Sequence, residues 1–336
     1  MLIYILRRLL LAIPTFVGIT LVTFVIINAA PGGPIEQKIQ KIQFSGKGGG
    51  GKDSQISQEI LDAMAKQYGF DKPVYERYWI WLKNISRMDF GESFTYQEPA
   101  IDVITQKFPV SLSFGIASLI LTYLVCIPLG VKKAIDAGGV FDQVSGMVLY
   151  FLYSIPPLVS GILLIVWFAG GSHFDWFPIG NLYSDNYDSL TTGAKIWDRT
   201  YHFILPLVCY MLGNFTEITM LVRNSMLDVV KSDYVRTARS KGLSNRIVYY
   251  KHALRNAMIP VATGLGGFLR VFLAGSLIVE RIFNLDGIGL LSYTSILSRD
   301  YNVIMGITFI SALLLLAGNI ISDLIYVMVD PRIDFK

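Results

Sequence analysis

Six apolar stretches, each long enough to cross a lipid bilayer, limit most strongly what this chain can fold into. A helix of about 20 residues spans the hydrocarbon core, and a helix lets one segment satisfy its own backbone hydrogen bonds in lipid. The stretches therefore predict six transmembrane helices. They cover residues 9–30, 110–131, 144–169, 203–222, 258–279 and 303–329.

Two features refine this prediction. Pro156 and Pro157 interrupt the third stretch and, with Pro128 and Pro206, predict bends that neighbouring membrane helices can accommodate. The first stretch follows two arginines, as a cleaved signal peptide would. Its 22 residues exceed the roughly 7–15 apolar residues of such a peptide, so we interpret it as a retained helix.

The composition agrees with a membrane protein and argues against a soluble or disordered chain. Of the 336 residues, 53% are apolar and 16% are charged, whereas a soluble domain carries about 25% charged residues. The net charge of +4 could indicate a nucleic-acid partner, but Lys and Arg collect in the cytoplasmic loops of membrane proteins, which is a simpler explanation. We predict an all-α membrane protein that contacts lipid and no nucleic acid.

The distribution of Lys and Arg predicts that the N- and C-termini are both cytoplasmic. If the chain starts inside, the inner segments hold 14 Lys and Arg in 62 residues, and the outer segments hold 14 in 135. Positive residues accumulate on the cytoplasmic side, so the denser set marks the inner segments. The inner segments are then 1–8, 132–143, 223–257 and 330–336, and the outer segments are 31–109, 170–202 and 280–302.

These spans and loops predict three domains. Residues 1–30 form an N-terminal transmembrane helix, 31–109 an extracytoplasmic subdomain, and 110–336 a five-helix core. The outer subdomain begins with a Gly-rich linker at 46–52, and apolar residues at helical spacing then predict two amphipathic helices, the second starting after Pro73. The second helix either packs on the outer ends of the spans or contacts substrate.

The sequence contains no pattern that predicts catalysis or a bound metal. Segment 46–52 approximates a phosphate-binding loop, but Asp53 stands where that motif requires Ser or Thr, and its carboxylate would repel phosphate. The histidines lack the paired spacing of a zinc site, and the cysteines lie inside apolar stretches. These five residues are His173, His202, His252, Cys126 and Cys209.

The cytoplasmic loop 223–257 carries the clearest functional signal. It has 35 residues, with eight Lys and Arg against two acids, and its pattern predicts two short helices broken at Gly242. Thr237 and Ala238 are small enough for a partner to approach the backbone, and a short helix can seat in a groove of a soluble protein. The alternative is a solvated basic loop, which explains the charge but neither the length nor the helix–Gly–helix pattern.

Residues 233–243, which read DYVRTARSKGL, and the later HALRNA resemble the EAA loop of ABC-importer permeases. The resemblance is closer to the dipeptide, oligopeptide and nickel permease family. Ala238 and Gly242 match the general EAA pattern, whereas Arg236 and Thr237 replace its Glu and first Ala, as is typical of the peptide branch.

The resemblance extends over essentially the whole chain. The outer turn 89–93 resembles the family's D-x-G-x-S motif, and Gly275, Ser276 and Glu280 resemble the end of its fifth span. The PGGPIEQ segment after the first span, the Gly-rich insert and the terminal DPRIDF are most similar to the B-subunit branch of Yej-type importers. That branch implies uptake of oligopeptides and of peptide antibiotics such as microcin C.

The resemblance implies a type I ABC-importer permease fold with six transmembrane helices in the bacterial inner membrane. It also implies a second homologous permease subunit, two cytoplasmic ATP-binding subunits or one fused double ATPase, and a periplasmic peptide-binding protein. ATP and magnesium would bind the ATPase subunits, and no cofactor would bind this chain. The implied ATPase-coupling residues are Asp233, Tyr234, Arg236, Thr237, Ala238, Arg239, Gly242 and Leu243.

Three charged residues inside the predicted spans are candidates for the transport pathway or for pairing within the membrane. Glu217, Arg270 and Asp323 lie in spans four, five and six. A charge at a helix centre costs roughly 2.5–3.5 kcal/mol on insertion scales, so such residues rarely face lipid. They either line a cavity or form a Glu217–Arg270 or Asp323–Arg270 pair.

Other functions remain open from the residues alone. The chain could be an ABC permease for dipeptides or nickel, a secondary transporter working alone, or an intramembrane enzyme. Many secondary transporters show two related halves, and no convincing repeat is present here. The absence of a nucleophile–base pair argues against an intramembrane enzyme.

Overall fold

The computed structural model describes residues 2–30, 33, 71–170, 173–262 and 275–329, with side chains described from residue 8 to residue 324. Its regular structure in these ranges consists of one short 3-10 helix, Tyr187–Ser189, and of the helices numbered here in chain order. They are α1 (Leu2–Ala29), α2 (Val74–Ile85), α3 (Ala100–Ile135), α4 (Val140–Ser154), α5 (Pro157–Phe168), α6 (Thr192–Val230), α7 (Asp233–Ser240), α8 (245–262), α9 (Leu277–Ile282), α10 (Ile288–Leu297) and α11 (Tyr301–Val329).

Four of these helices are long and apolar enough to cross a membrane, namely α1, α3, α6 and α11. They contain the first, second, fourth and sixth predicted spans. Pro128 and Pro206 lie inside α3 and α6, which continue through them as helix. The fifth predicted span includes residues 263–274, which fall outside the described residues. The count of six spans and the sides of the termini therefore stay predictions.

The third predicted span is two helices and not one. α4 and α5 meet at an angle of 102° across a short break. Pro156 caps α5 in an extended conformation, and Pro157 occupies its first turn. Proline lacks a backbone N–H, and it disfavours helical geometry in the residue before it, so two successive prolines end α4 and start a new helix.

Contacts within the chain divide it into two compact units. The small unit comprises Leu9–Phe108 and Leu291–Leu313, and the large unit comprises Met1–Arg8, Pro109–Leu290 and Leu314–Lys336. The three domains expected from the sequence stay a prediction.

In the small unit, Tyr78 fastens α2 to α1. α2 starts after Pro73, as the sequence predicts, and the earlier amphipathic helix of the outer subdomain lies outside the described residues. The Tyr78 hydroxyl lies 3.0 Å from Thr20 Oγ1 and donates to the Val17 carbonyl at 3.2 Å. Its ring packs 5.3 Å from that of Phe24. The aromatic side of α2 is thus partly a packing surface.

The outer turn 89–93 is held by a buried carboxylate of the same unit. Asp300 immediately precedes α11 and is fully buried. It accepts hydrogen bonds from Ser93 Oγ at 2.5 Å and from the Thr95 N–H at 3.0 Å. Gly91 supplies the left-handed conformation of the turn, with φ +73°. This explains why the D-x-G-x-S motif needs its glycine and its serine.

The large unit has an apolar cluster formed by α3, α6, α7 and α8. Its side chains are buried, so the apolar surface that they remove from water stabilises the contacts among these helices. Its members are Cys126, Val131, Ala134, Ile218, Val222, Met226, Val235, Ala238, Val248, Ala253, Ala257 and Val261. The short helix α7 therefore rests on the ends of much longer ones.

Candidate functional site

α7 forms the centre of the predicted coupling loop. Two residues, Lys231 and Ser232, separate it from α6. Ser232 is extended, with φ −71° and ψ 153°, and so allows the sharp change of direction between the two helices. Gly242 follows the last turn with φ +77°, and its N–H donates to the Arg239 carbonyl at 2.9 Å. The predicted break at Gly242 is confirmed.

α8 differs from the short second helix that the sequence predicts. It begins as α-helix at Asn245–Ile247, continues through a π-helical turn at Val248–Ala253 and returns to α-helix through 254–262. π-helical turns are rare and occur frequently at functional sites. Here the turn buries Val248 and Ala253 in the apolar cluster.

The inner face of α7 is buried against its own protein. Val235 is fully buried and Ala238 is 7% exposed, and both belong to the apolar cluster. Ala238 therefore faces the body of its own protein, where its small side chain allows α7 to pack closely. Its part in coupling stays a prediction.

The outer face of α7, which is the face directed away from its own protein, presents charge and an aromatic ring to solvent. The exposed predicted residues on this face are Asp233, Tyr234, Arg236, Thr237 and Arg239. Gly242 and Leu243 are exposed just beyond the helix.

Two of these side chains are braced by α8. The Tyr234 hydroxyl accepts a hydrogen bond from Asn256 Nδ2 at 2.8 Å. The Arg239 guanidinium donates to the Tyr249 hydroxyl at 3.0 Å and lies 5.5 Å from that ring. α7 and α8 together thus form a braced surface whose exposed charged side chains are mostly basic.

A buried charge cluster behind this surface was missed by the sequence analysis. Lys133, Asp142 and Arg223 meet at the ends of α3, α4 and α6. In the sequence they belong to the predicted inner segments 132–143 and 223–257, and no contact among them was predicted. The available signal was an acid near the start of one predicted span, close in sequence to a lysine at the end of the preceding one.

The structure describes two of the three intramembrane charges that the sequence singles out. Glu217 is exposed on α6. Asp323 forms an ion pair with Arg8, with Nη2 3.1 Å from Oδ2, a partner that the sequence analysis did not suggest. Arg270 lies outside the described residues, so the pairs that involve it and the cavity-lining role stay predictions.

Glu280 is a further carboxylate that hydropathy alone did not single out, since it sits just beyond the fifth predicted span. It is fully buried and accepts hydrogen bonds from Ser111 Oγ at 2.7 Å and from the Leu290 N–H at 2.7 Å. Tyr210 OH and the Ser276 N–H donate to it at 3.2 and 3.3 Å. Burial raises the pKa of the Glu280 carboxyl, and these four donors oppose that shift.

Among the described residues, no group of three or more His, Cys, Asp or Glu is suited to hold a metal ion. The expectation that this chain binds no cofactor stays a prediction.

Family models match nearly the whole chain. Residues 126–335 match the binding-protein-dependent transport system inner membrane component, and residues 1–115 match the N-terminal model of the same membrane component. The chain belongs to this family of inner-membrane transport components. It is a multi-pass protein of the inner membrane and a permease subunit.

Several curated relatives cover the chain from end to end. It is 45% identical to the peptidoglycan transport system permease protein YejB of Agrobacterium fabrum, over 99% of this chain and 98% of the relative. It is 42% identical to the inner membrane ABC transporter permease protein YejB of Escherichia coli O157:H7, over 99% of both chains. It is 37% identical to the oligopeptide transport system permease protein AppB of Bacillus subtilis, again over 99% of both.

Proposed function

We propose that this chain forms half of the transmembrane pathway of an ATP-driven importer of oligopeptides. The observation that carries the proposal is the braced outer face of α7, in the segment that resembles the EAA loop. Relatives at 45% and 37% identity are named for peptidoglycan and oligopeptide transport, which supports a peptide-derived cargo over nickel. The chain moves its cargo across the membrane and makes or breaks no bond in it.

Partner chains complete the proposed machine. A second homologous permease supplies the other half of the pathway, and a periplasmic binding protein delivers the peptide. Two ATPase subunits, or one fused double ATPase, hold ATP and magnesium on the cytoplasmic side. This chain contributes the surface on which an ATPase subunit acts, and it binds no cofactor itself.

The geometry of α7 suits the transfer of force. The helix is short, its inner face is packed against α6 and α8, and two residues connect it to the 39-residue helix α6. A force applied to the outer face of α7 is therefore transmitted to α6, because the connection between the two helices is too short to absorb much of the movement. Closure of the ATPase subunits would rock α6 and its neighbours and expose the peptide pathway to alternate sides, which is alternating access.

Charge reversal on α7 tests this function. The Arg236 side chain is 73% exposed, so Arg236→Glu leaves the packing of α7 intact while it inverts the charge offered to the partner. We expect about tenfold less ATPase subunit to co-purify with the variant in mild detergent, together with a matching loss of ATP-dependent uptake of a labelled oligopeptide.

Arg87→Glu is the matched control, because Arg87 is equally an exposed arginine but follows α2 in the outer subdomain. It should transport like the wild type. Equal recovery of ATPase subunits with Arg236→Glu and the wild type would contradict the assignment of α7. Uptake by the purified chain alone, without ATP, would contradict the importer and favour a secondary transporter.

The cargo class has its own test. Membrane vesicles that contain the assembled importer should take up labelled oligopeptides in preference to labelled dipeptides or nickel. Cells that carry the importer should be sensitive to a peptide antibiotic of the microcin C type. Nickel uptake without peptide uptake would overturn the peptide assignment and leave the coupling assignment standing.

A further inference from the structure

Three charged side chains meet where α3, α4 and α6 end or begin in the large unit. Arg223 donates from Nε and Nη2 to the two carboxylate oxygens of Asp142, at 2.7 and 2.5 Å. Lys133 Nζ lies 3.1 Å from Asp142 Oδ1, the oxygen that also accepts from Arg223 Nε. Asp142 thus bridges a lysine of α3 and an arginine of α6 from the first turn of α4.

The cluster is buried and its polar atoms are satisfied. The side chains of Lys133, Asp142 and Arg223 are 0%, 7% and 22% exposed. Lys133 Nζ also donates to the Asp142 carbonyl at 2.7 Å and to Ser145 Oγ at 2.8 Å, and the Gly138 N–H donates to Asp142 Oδ2 at 3.1 Å. Buried charges are tolerated when they are paired and hydrogen-bonded in this way, so the cluster has a defined geometry.

Its position relates the cluster to α7. Arg223 lies about two helical turns before the end of α6, and α7 begins after the two-residue connection. α3 approaches α6 closely at Gly130, where an added Cβ would lie 2.7 Å from the Thr219 carbonyl oxygen. α3 and α6 therefore touch through their backbones, and α4 is tied to α6 at this end through the carboxylate of Asp142. α4 is tied to α3 through the same carboxylate and through the Lys133 bonds to the Asp142 carbonyl and Ser145 Oγ.

We propose that Asp142 is a positioning residue for energy coupling, which transmits displacement of the α6 end through Arg223 and Lys133 to α3 and α4. The inference rests on the proposed function, since it requires that α7 receives the force of an ATPase subunit. With the carboxylate intact, the α6 end moves together with the end of α3 and the start of α4. Without it, the α6 end no longer moves the start of α4 with it, and ATP hydrolysis is no longer converted into opening of the pathway.

The test measures peptide taken up per ATP hydrolysed by the complete importer in proteoliposomes. Asp142→Asn removes the charge and keeps the size of the side chain. We expect the ATPase subunits to remain bound and ATP hydrolysis to continue, while uptake per ATP falls by about tenfold, within the range seen when coupled networks are broken. Asp142→Glu restores the charge and should recover part of the ratio.

Asp300→Asn is the matched control, because Asp300 is a fully buried, hydrogen-bonded carboxylate of the small unit. It should lower thermal stability without changing uptake per ATP. An unchanged uptake per ATP in Asp142→Asn, or an equal fall in Asp300→Asn, would overturn the proposal. The charge cluster around Asp142 would then have only a structural role.

A second variant keeps the proposal testable if Asp142→Asn fails to assemble. Arg223→Lys keeps the positive charge but replaces a two-bond contact with a single one. It should give an intermediate ratio, and a wild-type ratio would refute the assignment. Failure of the proposed function looks different, because the wild-type importer would then show no ATP-dependent uptake, and the inference would fall with it.

Discussion

At the residue scale, neighbouring positions of α7 have opposite roles. Thr237 is exposed, whereas Ala238 is buried in the apolar cluster. The sequence motif marks both as small, but one faces the solvent and the other the protein. Gly242 has a third role, since its left-handed backbone ends the helix and directs the chain toward α8.

Gly242→Ala should weaken the end of α7 without a steric clash. No heavy atom lies within 4 Å of an added Cβ, so the cost is the left-handed conformation itself, about 1–2 kcal/mol for a residue with a side chain. We expect faster proteolytic cleavage at this turn in membranes. Gly242→Asn should behave nearly like the wild type, since Asn tolerates this conformation. Equal cleavage of the alanine variant and the wild type would disprove the requirement for glycine.

At the scale of elements, short helices are positioned by long ones. α2 is tied to α1 by Tyr78, and α7 rests on the ends of α3, α6 and α8. Local sequence predicts that α2 and α7 form, because a proline precedes one and a glycine follows the other. The faces that they bury depend on which side chains of the long helices lie opposite.

Tyr78→Phe tests the tie between α2 and α1. The substitution keeps the ring that packs on Phe24 and removes the hydroxyl bonded near Thr20, so the outer subdomain should lose about 1 kcal/mol of stability. Hydrogen exchange of α2 amides in detergent would measure this loss. Tyr75→Phe is the control on the same helix, because Tyr75 is 78% exposed. Identical exchange in the two variants would show that the Tyr78 hydroxyl contributes nothing.

At the scale of the large unit, single carboxylates connect segments that are far apart in the chain. Asp142 joins three helices, Asp323 meets Arg8, and Glu280 collects donors from α3, α6 and the first turn of α10. The Arg8–Asp323 pair is partly exposed and therefore contributes at most about 1 kcal/mol. The buried carboxylates of Asp142 and Glu280 contribute more to stability. Each is surrounded by buried donors, and a buried donor that loses its acceptor cannot bond to water instead.

Glu280→Gln should destabilise the fold by about 1.5–3 kcal/mol, the loss expected when hydrogen bonds to a buried charge are removed. An amide in place of the carboxylate would turn one N–H toward a donor such as the Leu290 N–H or the Ser111 hydroxyl. Thermal unfolding of the purified permease would report this as a lower midpoint. Glu92→Gln is the control, because Glu92 is exposed. A midpoint unchanged by Glu280→Gln would show that the charge of Glu280 is not required.

The sequence by itself determined the features that depend on local pattern: four long apolar helices, a bend at Pro156 and Pro157, the glycine end of α7 and the permease family. Hydropathy, proline and glycine act over a few residues, so the printed order is enough to reveal them. Only the tertiary structure decided which face of α7 is buried, that residues 291–313 join the small unit, and which charges meet. Asp142 and Arg223 are 81 positions apart, and Arg8 and Asp323 are 315 apart. Such pairs form because packing of the helices brings their ends together, and no local pattern encodes that arrangement.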